Sequence, residues 1–115
     1  FKKMGTSLGN SIHPELASDE EIEMEGPANL FRGMEGVGGK LFLTNQKVIF
    51  KAHALNIQTG QTDISFDSIT DIQFRKTGHL LDNGLSILTT DQRKYDLVLA
   101  DREIWREKLR AKVKS

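Results

Sequence analysis

The chain has 115 residues, no cysteine, and 16 basic against 16 acidic side chains, so its formal net charge is zero. That length makes one domain with a core large enough to stand without staples, and the missing thiols exclude disulfides, cysteine-based metal sites and thiol catalysis. Neutrality disfavours a nucleic-acid partner, no apolar run approaches the roughly 20 residues of a membrane-spanning helix, and no secretory h-region is visible.

Residues 1–20 read as an N-terminal arm, partly flexible, leading into a domain over 21–115. Its start, FKKMGTSLGN, mixes Gly, Ser and Thr with scattered apolar residues, of which Phe1, Met4 and Leu8 either dock on a neighbouring surface or stay disordered. Glu15, Asp19, Glu20, Glu21, Glu23 and Glu25 follow with no intervening base, while the C-terminal segment leans basic. These are two solvated faces, or the complementary halves of a contact between copies.

The first strand is expected over Ile22 to Phe31, with Ile22, Met24, Ala28 and Leu30 on one face. Pro27 cannot donate to a ladder and places an edge or a bulge there. Gly36, Gly38 and Gly39 then crowd the start of the next strand, which suits a bend or a close backbone approach. Gly39-Lys40 is followed by Leu41 and a strand pattern rather than by Ser or Thr and a helix, which excludes a P-loop. The stretch VGGKLFLTNQKVIF, Val37 to Phe50, reads as a hairpin turning at Asn45-Gln46, where residues tolerating positive φ are needed. That register sets Leu43 opposite Val48 and Leu41 opposite Phe50 on one face. Phe42 and Ile49 share the other face and form an exposed apolar pair unless the arm or another subunit covers them.

After Phe50 the apolar parity changes, which a bulge or bend between Lys51 and Ala54 resolves. A Gly60-Gln61 hairpin loop pairs Ile57 with Ile64 and Leu55 with Phe66. Asp67-Ser68 is a turn, Thr70 to Lys76 a strand, and Thr77 to Gly84 a loop. The last two strands carry Leu85, Ile87 and Thr89, then Tyr95, Leu97 and Leu99. A three-residue loop, Thr90 to Gln92, pairs Ile87 with Tyr95 and Leu85 with Leu97. A helix closes the chain, N-capped by Asp101. Trp105, Leu109 and Val113 form its apolar stripe, flanked by Ile104, and Lys112 and Lys114 sit where the helix dipole favours cations. About seven closely spaced strands with no helix between them imply antiparallel meanders. The single amphipathic helix must cover the mouth of a bent sheet or a partly closed barrel.

The run EGPANLFRGMEGVGGKLFLTNQKVIFKAHALNIQ (Glu25 to Gln58), the strand DISFDSITDIQF, the Asn83-Gly84-Leu85 turn and the Trp105 helix together resemble the GRAM domain family, a branch of the pleckstrin-homology (PH)-like superfold, in its compact bacterial form. The resemblance covers Glu21 to about Val113. It implies a mainly β fold: a strongly bent antiparallel seven-stranded barrel capped by one C-terminal α-helix. It also implies membrane-associated roles through lipid or protein binding.

The residues themselves ask for no catalysis. His13, His53 and His79 share no ligand spacing, and neither H-E-x-x-H nor G-x-S-x-G occurs. The expectation is therefore a non-enzyme without metal or cofactor. A phosphate headgroup needs converging bases. The candidates are Lys40, with Arg32 near it, Lys47, Lys51, Arg75, Lys76 and His79, although their spacing lacks a dense K-x-n-K/R-x-R signature. Leu80 and Leu81 would either insert into a bilayer surface or fold over the barrel mouth. Protein contact would use Phe42 and Ile49, with the helical row Arg102, Arg106, Arg110 and Lys114 as a further contact face. The first reading is a binding or assembly module acting through a protein partner, self-association included. The alternative is a peripheral membrane module that binds anionic phospholipid or phosphoinositide headgroups. Both fit a cytoplasmic location, free or at the membrane surface.

Overall fold

In a computed structural model of the chain, residues 14–32, 35–52, 61–77 and 81–114 are described. Among the described residues seven strands precede one helix: β1 (Ile22–Arg32), β2 (Glu35–Thr44), β3 (Lys47–Ala52), β4 (Gln61–Ser65), β5 (Ile69–Thr77), β6 (Leu81–Thr89), β7 (Lys94–Leu99) and α1 (Arg102–Lys114), with a 3-10 turn, Phe66–Ser68, between β4 and β5. All neighbours are antiparallel, in the order β4-β3-β2-β1-β7-β6-β5. The sheet is not closed by hydrogen bonds: β4 and β5 are its two free margins.

One core nevertheless draws side chains from all seven strands, Leu30, Leu41, Val48, Ile64, Ile72, Leu85 and Leu97 among them. Laid flat, seven strands spaced about 4.8 Å apart would keep the two margins far from one another. One shared core therefore requires the sheet to bend strongly on itself. Trp105 and Leu109 of α1 belong to the same core and cover its open side. The Trp105 ring packs over β1, 3.8 Å from where a Cβ on Gly26 would stand.

The hairpin register is the expected one, with Leu41 facing Phe50 and Leu43 facing Val48. Its turn is held differently. Neither Asn45 nor Gln46 has a positive φ. Instead, the Thr44 hydroxyl accepts the backbone N–H groups of Gln46 (3.0 Å) and Lys47 (2.9 Å), so a side chain fixes the turn. The β6–β7 loop also follows expectation: Ile87 faces Tyr95, Leu85 faces Leu97, and the N–H of Thr89 bonds to the Arg93 carbonyl. Gln92, at φ 66°, supplies the left-handed residue that a three-residue loop needs. Pro27 stands where β7 pairing has just ended at Ala28, so its missing N–H costs no ladder bond to β7.

Further local expectations need correction. Ile22 is exposed, because a bulge between Ile22 and Met24 reverses the parity of the strand start. β6 begins at Leu81, inside the stretch read as a loop. Asp101 does precede α1, and its carbonyl accepts the Trp105 N–H, but its backbone is left-handed at φ 57°. No carboxylate bond to a first-turn amide is present among the described residues, so Asp101 turns the chain rather than capping the helix. Ile104, expected beside the apolar stripe, is 47% exposed on the far side of α1. Gln61, read as half of a two-residue loop, instead opens β4 opposite Lys51, and Ile64 faces Val48. The bend after Lys51, Leu55, Ile57, the three histidines and Phe1, Met4 and Leu8 lie outside the described residues.

Candidate functional site

The acidic lead-in is not a free tail. The Glu15 N–H donates to Gln61 Oε1 at 2.8 Å, and Gln61 Nε2 donates back to the Glu15 carbonyl. At the other end Gln46 Nε2 donates to Asp19 Oδ1, and the Glu21 N–H to Asn45 Oδ1. The segment is thus fastened at both ends of the β2–β4 outer face, the face that carries Phe42 and Ile49. Both of these residues are 0% exposed and form an apolar cluster separate from the main core. They are covered within the single chain, so the pair is not left bare for a second subunit.

Glu20 is the main fastening. Its buried carboxylate accepts the Thr44 hydroxyl (2.6 Å), the Ala17 N–H (3.0 Å) and Lys47 Nζ (2.9 Å). Burial penalises the carboxylate and is the largest single effect, but the bonds from Thr44, Ala17 and Lys47 together outweigh it and hold the carboxyl below its ordinary value. A depressed folded-state pKa adds stability that is complete above the unfolded carboxylate range and is lost as the pH falls through the folded value. Glu20→Gln is expected to cost about 1–3 kcal/mol at neutral pH. The gap to wild type should narrow in acid, read as urea midpoints on either side of the carboxylate range.

Of the four candidate bases whose side chains are described, Lys40, Lys47 and Lys51 share the β2–β3 hairpin and Arg75 stands apart from them. Lys40 pairs with Glu25 at 3.2 Å, Lys47 with Glu20, and Arg75 with Asp96 at 3.6 Å, where Asp96 also accepts the Ser86 hydroxyl. Lys51 lies directly opposite Lys40, an unfavourable like-charge pair. Arg75 belongs to the β5 margin, with β1, β7 and β6 between it and the Lys40 strand. Lys76 sits on β5 and Leu81 opens β6 opposite Thr77, but their side chains, that of Arg32, and all of His79 and Leu80 lie outside the described residues. A hollow of about 520 Å³ beside Gly38, Asn29 and Val98 has no charged side chain in its described lining.

A different region gathers more. Between the β5 margin and α1 lie two adjoining hollows that share Arg110. One, about 360 Å³, is lined by Phe74, Glu103, Arg106, Glu107 and Arg110. The other, about 400 Å³, is lined by Ile69, Thr70, Asp71, Ile72, Arg110 and Val113. Phe74 is 37% exposed, with the guanidinium groups of Arg102 and Arg106 at 4.2 and 4.4 Å from its ring centre. Such cation–π contacts contribute about 0.5–1 kcal/mol each at an exposed site. Arg102 Nη1 also donates to the carbonyls of Arg75 (3.0 Å) and Gly84 (3.2 Å), tying the helix start to β5 and β6. Arg106 Nε is buried with no acceptor among the described residues. Asp71 Oδ1 accepts the Ile72 N–H at 2.8 Å, and Gln73 Nε2 donates to Asp71 Oδ2. The Gln73 bond first, and the Ile72 bond after it, hold the Asp71 carboxyl below its ordinary range.

The groove is hidden in the sequence because Phe74 shares the parity of Ile72, a core residue. The one visible signal was the arginine row at four-residue spacing on the helix. Among the described residues no helix is long and apolar enough to cross a membrane.

The family model for the bacterial PH domain matches residues 16–110. No curated protein matches the chain by sequence. Among solved structures, the C-terminal domain of an unknown protein from Leishmania infantum superposes with a TM-score of 0.73 at 18% identity, over 84% of this chain and 86% of that one. The Vps36 N-terminal PH domain gives 0.69 at 18% identity, over 88% and 84%. The Slm1 PH domain, solved in complex with phosphoserine, gives 0.62 at 10% identity, over 80% and 95%. At these identities the likeness is one of fold.

Proposed function

The chain belongs to the bacterial PH domain family, whose fold generally serves as a binding module for proteins or phosphoinositide lipids, and from that premise we propose that this member is a non-enzymatic module that works by protein contact. One observation carries the reading: the groove between β5 and α1 presents an exposed aromatic ring under two guanidinium groups, beside a mixed hollow where Ile69, Ile72 and Val113 alternate with Thr70, Asp71 and Arg110. Aromatic and arginine side chains are the residues on which protein interfaces most often depend. Within the superfold, the GRAM-type segment Gly39 to Phe50 supports assignment to the GRAM branch.

Headgroup capture is the weaker reading. Lys40, Lys47 and Arg75 already neutralise Glu25, Glu20 and Asp96. A lipid phosphate would have to displace a carboxylate from each of them. Sedimentation with phosphatidylcholine vesicles, with and without phosphatidylserine and phosphoinositide, tests this at low and moderate salt. The expected result is no dependence on anionic lipid. Salt-sensitive binding to anionic vesicles that is lost in Lys40→Glu/Lys51→Glu would overturn protein contact as the primary role and place the module at the membrane surface.

A further inference from the structure

We propose that the partner fitted by the β5–α1 groove is a second copy of this chain, bound about a two-fold axis. This rests on the reading of the domain as a protein-contact module. The groove lining is not of one sign. Along the flank of α1 that overhangs β5, the bases Arg106 and Arg110 run beside the acids Glu103 and Glu107. A strongly acidic or strongly basic partner would meet as many like charges as opposite ones. A copy of the same surface does not. Glu103 and Arg110 are placed symmetrically about the peptide bond that joins Arg106 to Glu107. Two α1 helices laid antiparallel about an axis through that bond bring Arg110 to the partner's Glu103 and Arg106 to the partner's Glu107, each contact occurring twice, as an isologous interface requires. The exposed Phe74 ring lies at the base of the same contact. The β5 margin itself is not the joint, because Asp71 already takes the Ile72 N–H and blunts that edge against strand addition. Side chains of α1 and β5, rather than a continued ladder, form the interface.

Light scattering after size exclusion, across a concentration series, reads the outcome. Wild type is expected to move from the mass of one chain toward that of two. Arg110→Glu and Glu103→Arg each set like charges face to face and are expected to weaken association roughly tenfold or more. An equimolar mixture of the two variants restores both contacts and regains the dimer. So does the double variant Glu103→Arg/Arg110→Glu alone. Both residues are exposed, and circular dichroism confirms that each variant is folded. Wild type that stays monomeric overturns the proposal and leaves the groove to a foreign protein. Single variants that dimerise like wild type, or a mixture that does not recover, overturn it too. A monomer that ignores anionic vesicles removes only self-association, whereas anionic-vesicle binding removes the protein-contact reading beneath it.

Discussion

Trp105→Ala is expected to bring the domain to the edge of unfolding, lowering its stability by about 3–5 kcal/mol. A domain of this kind holds about 5–15 kcal/mol in total. The reason is positional as well as volumetric. The margins β4 and β5 share no hydrogen bonds, so the open side of the core is covered by side chains of α1, with Trp105 at 3% and Leu109 at 0% exposure. Removing the indole empties the space over Gly26 and loosens the one element that keeps the inner face dry. The control lies one residue away. Ile104→Ala, on the exposed side of the same helix, should stay within about 0.5 kcal/mol of wild type. Urea unfolding followed by circular dichroism reads both. A Trp105→Ala protein as stable as Ile104→Ala would mean that the helix does not seal the sheet.

Gly39→Ala should be nearly as damaging although it adds a single methyl group. A Cβ at Gly39 would lie 2.2 Å from the Lys51 carbonyl oxygen and 2.9 Å from the Ala52 Cα, both of them backbone atoms that cannot swing aside. The β2–β3 ladder must part to admit it, at a cost of at least about 1–3 kcal/mol. Gly26→Ala makes the opposite forecast. Its nearest neighbours, on the Trp105 ring, stand at ordinary contact distances of 3.8 and 3.9 Å. There the substitution should be neutral, or stabilising by up to about 0.5–1 kcal/mol through the loss of glycine's chain entropy. The two variants compared by denaturant midpoint separate a steric requirement for glycine from a merely permissive one.

The fold was legible because alternation and turn chemistry agree along most of the chain. Leu41, Leu43, Val48 and Phe50 define one hairpin register, and Ile87, Tyr95, Leu85 and Leu97 define another. Both are found as read. What failed were properties that depend on residues distant in sequence. Glu20 looked like one acid in a solvated run, yet it is buried because Thr44 and Lys47 come to it across the hairpin. Its neighbours Glu23 and Glu25 are likewise used internally, by Lys112 at 2.7 Å and by Lys40. Phe74 carries the parity of the core residue Ile72, but it lies farther along the β5 margin, where Arg102 and Arg106 rather than apolar residues cover it. Periodicity reports which face a side chain takes. It does not report which face lies under a strap or where a sheet runs out.

The strand order has a bearing on how the molecule comes together. Every neighbouring pair but one joins strands consecutive in the chain; the exception is β1 with β7, where Ala28 meets Leu99. Two locally wound halves, β1 to β4 and β5 to β7, can each begin to zip on their own, but the seam between them waits until β7 has been made. During synthesis β1 emerges with one flank unmet, and the arrival of β7, with α1 directly behind it, completes the sheet.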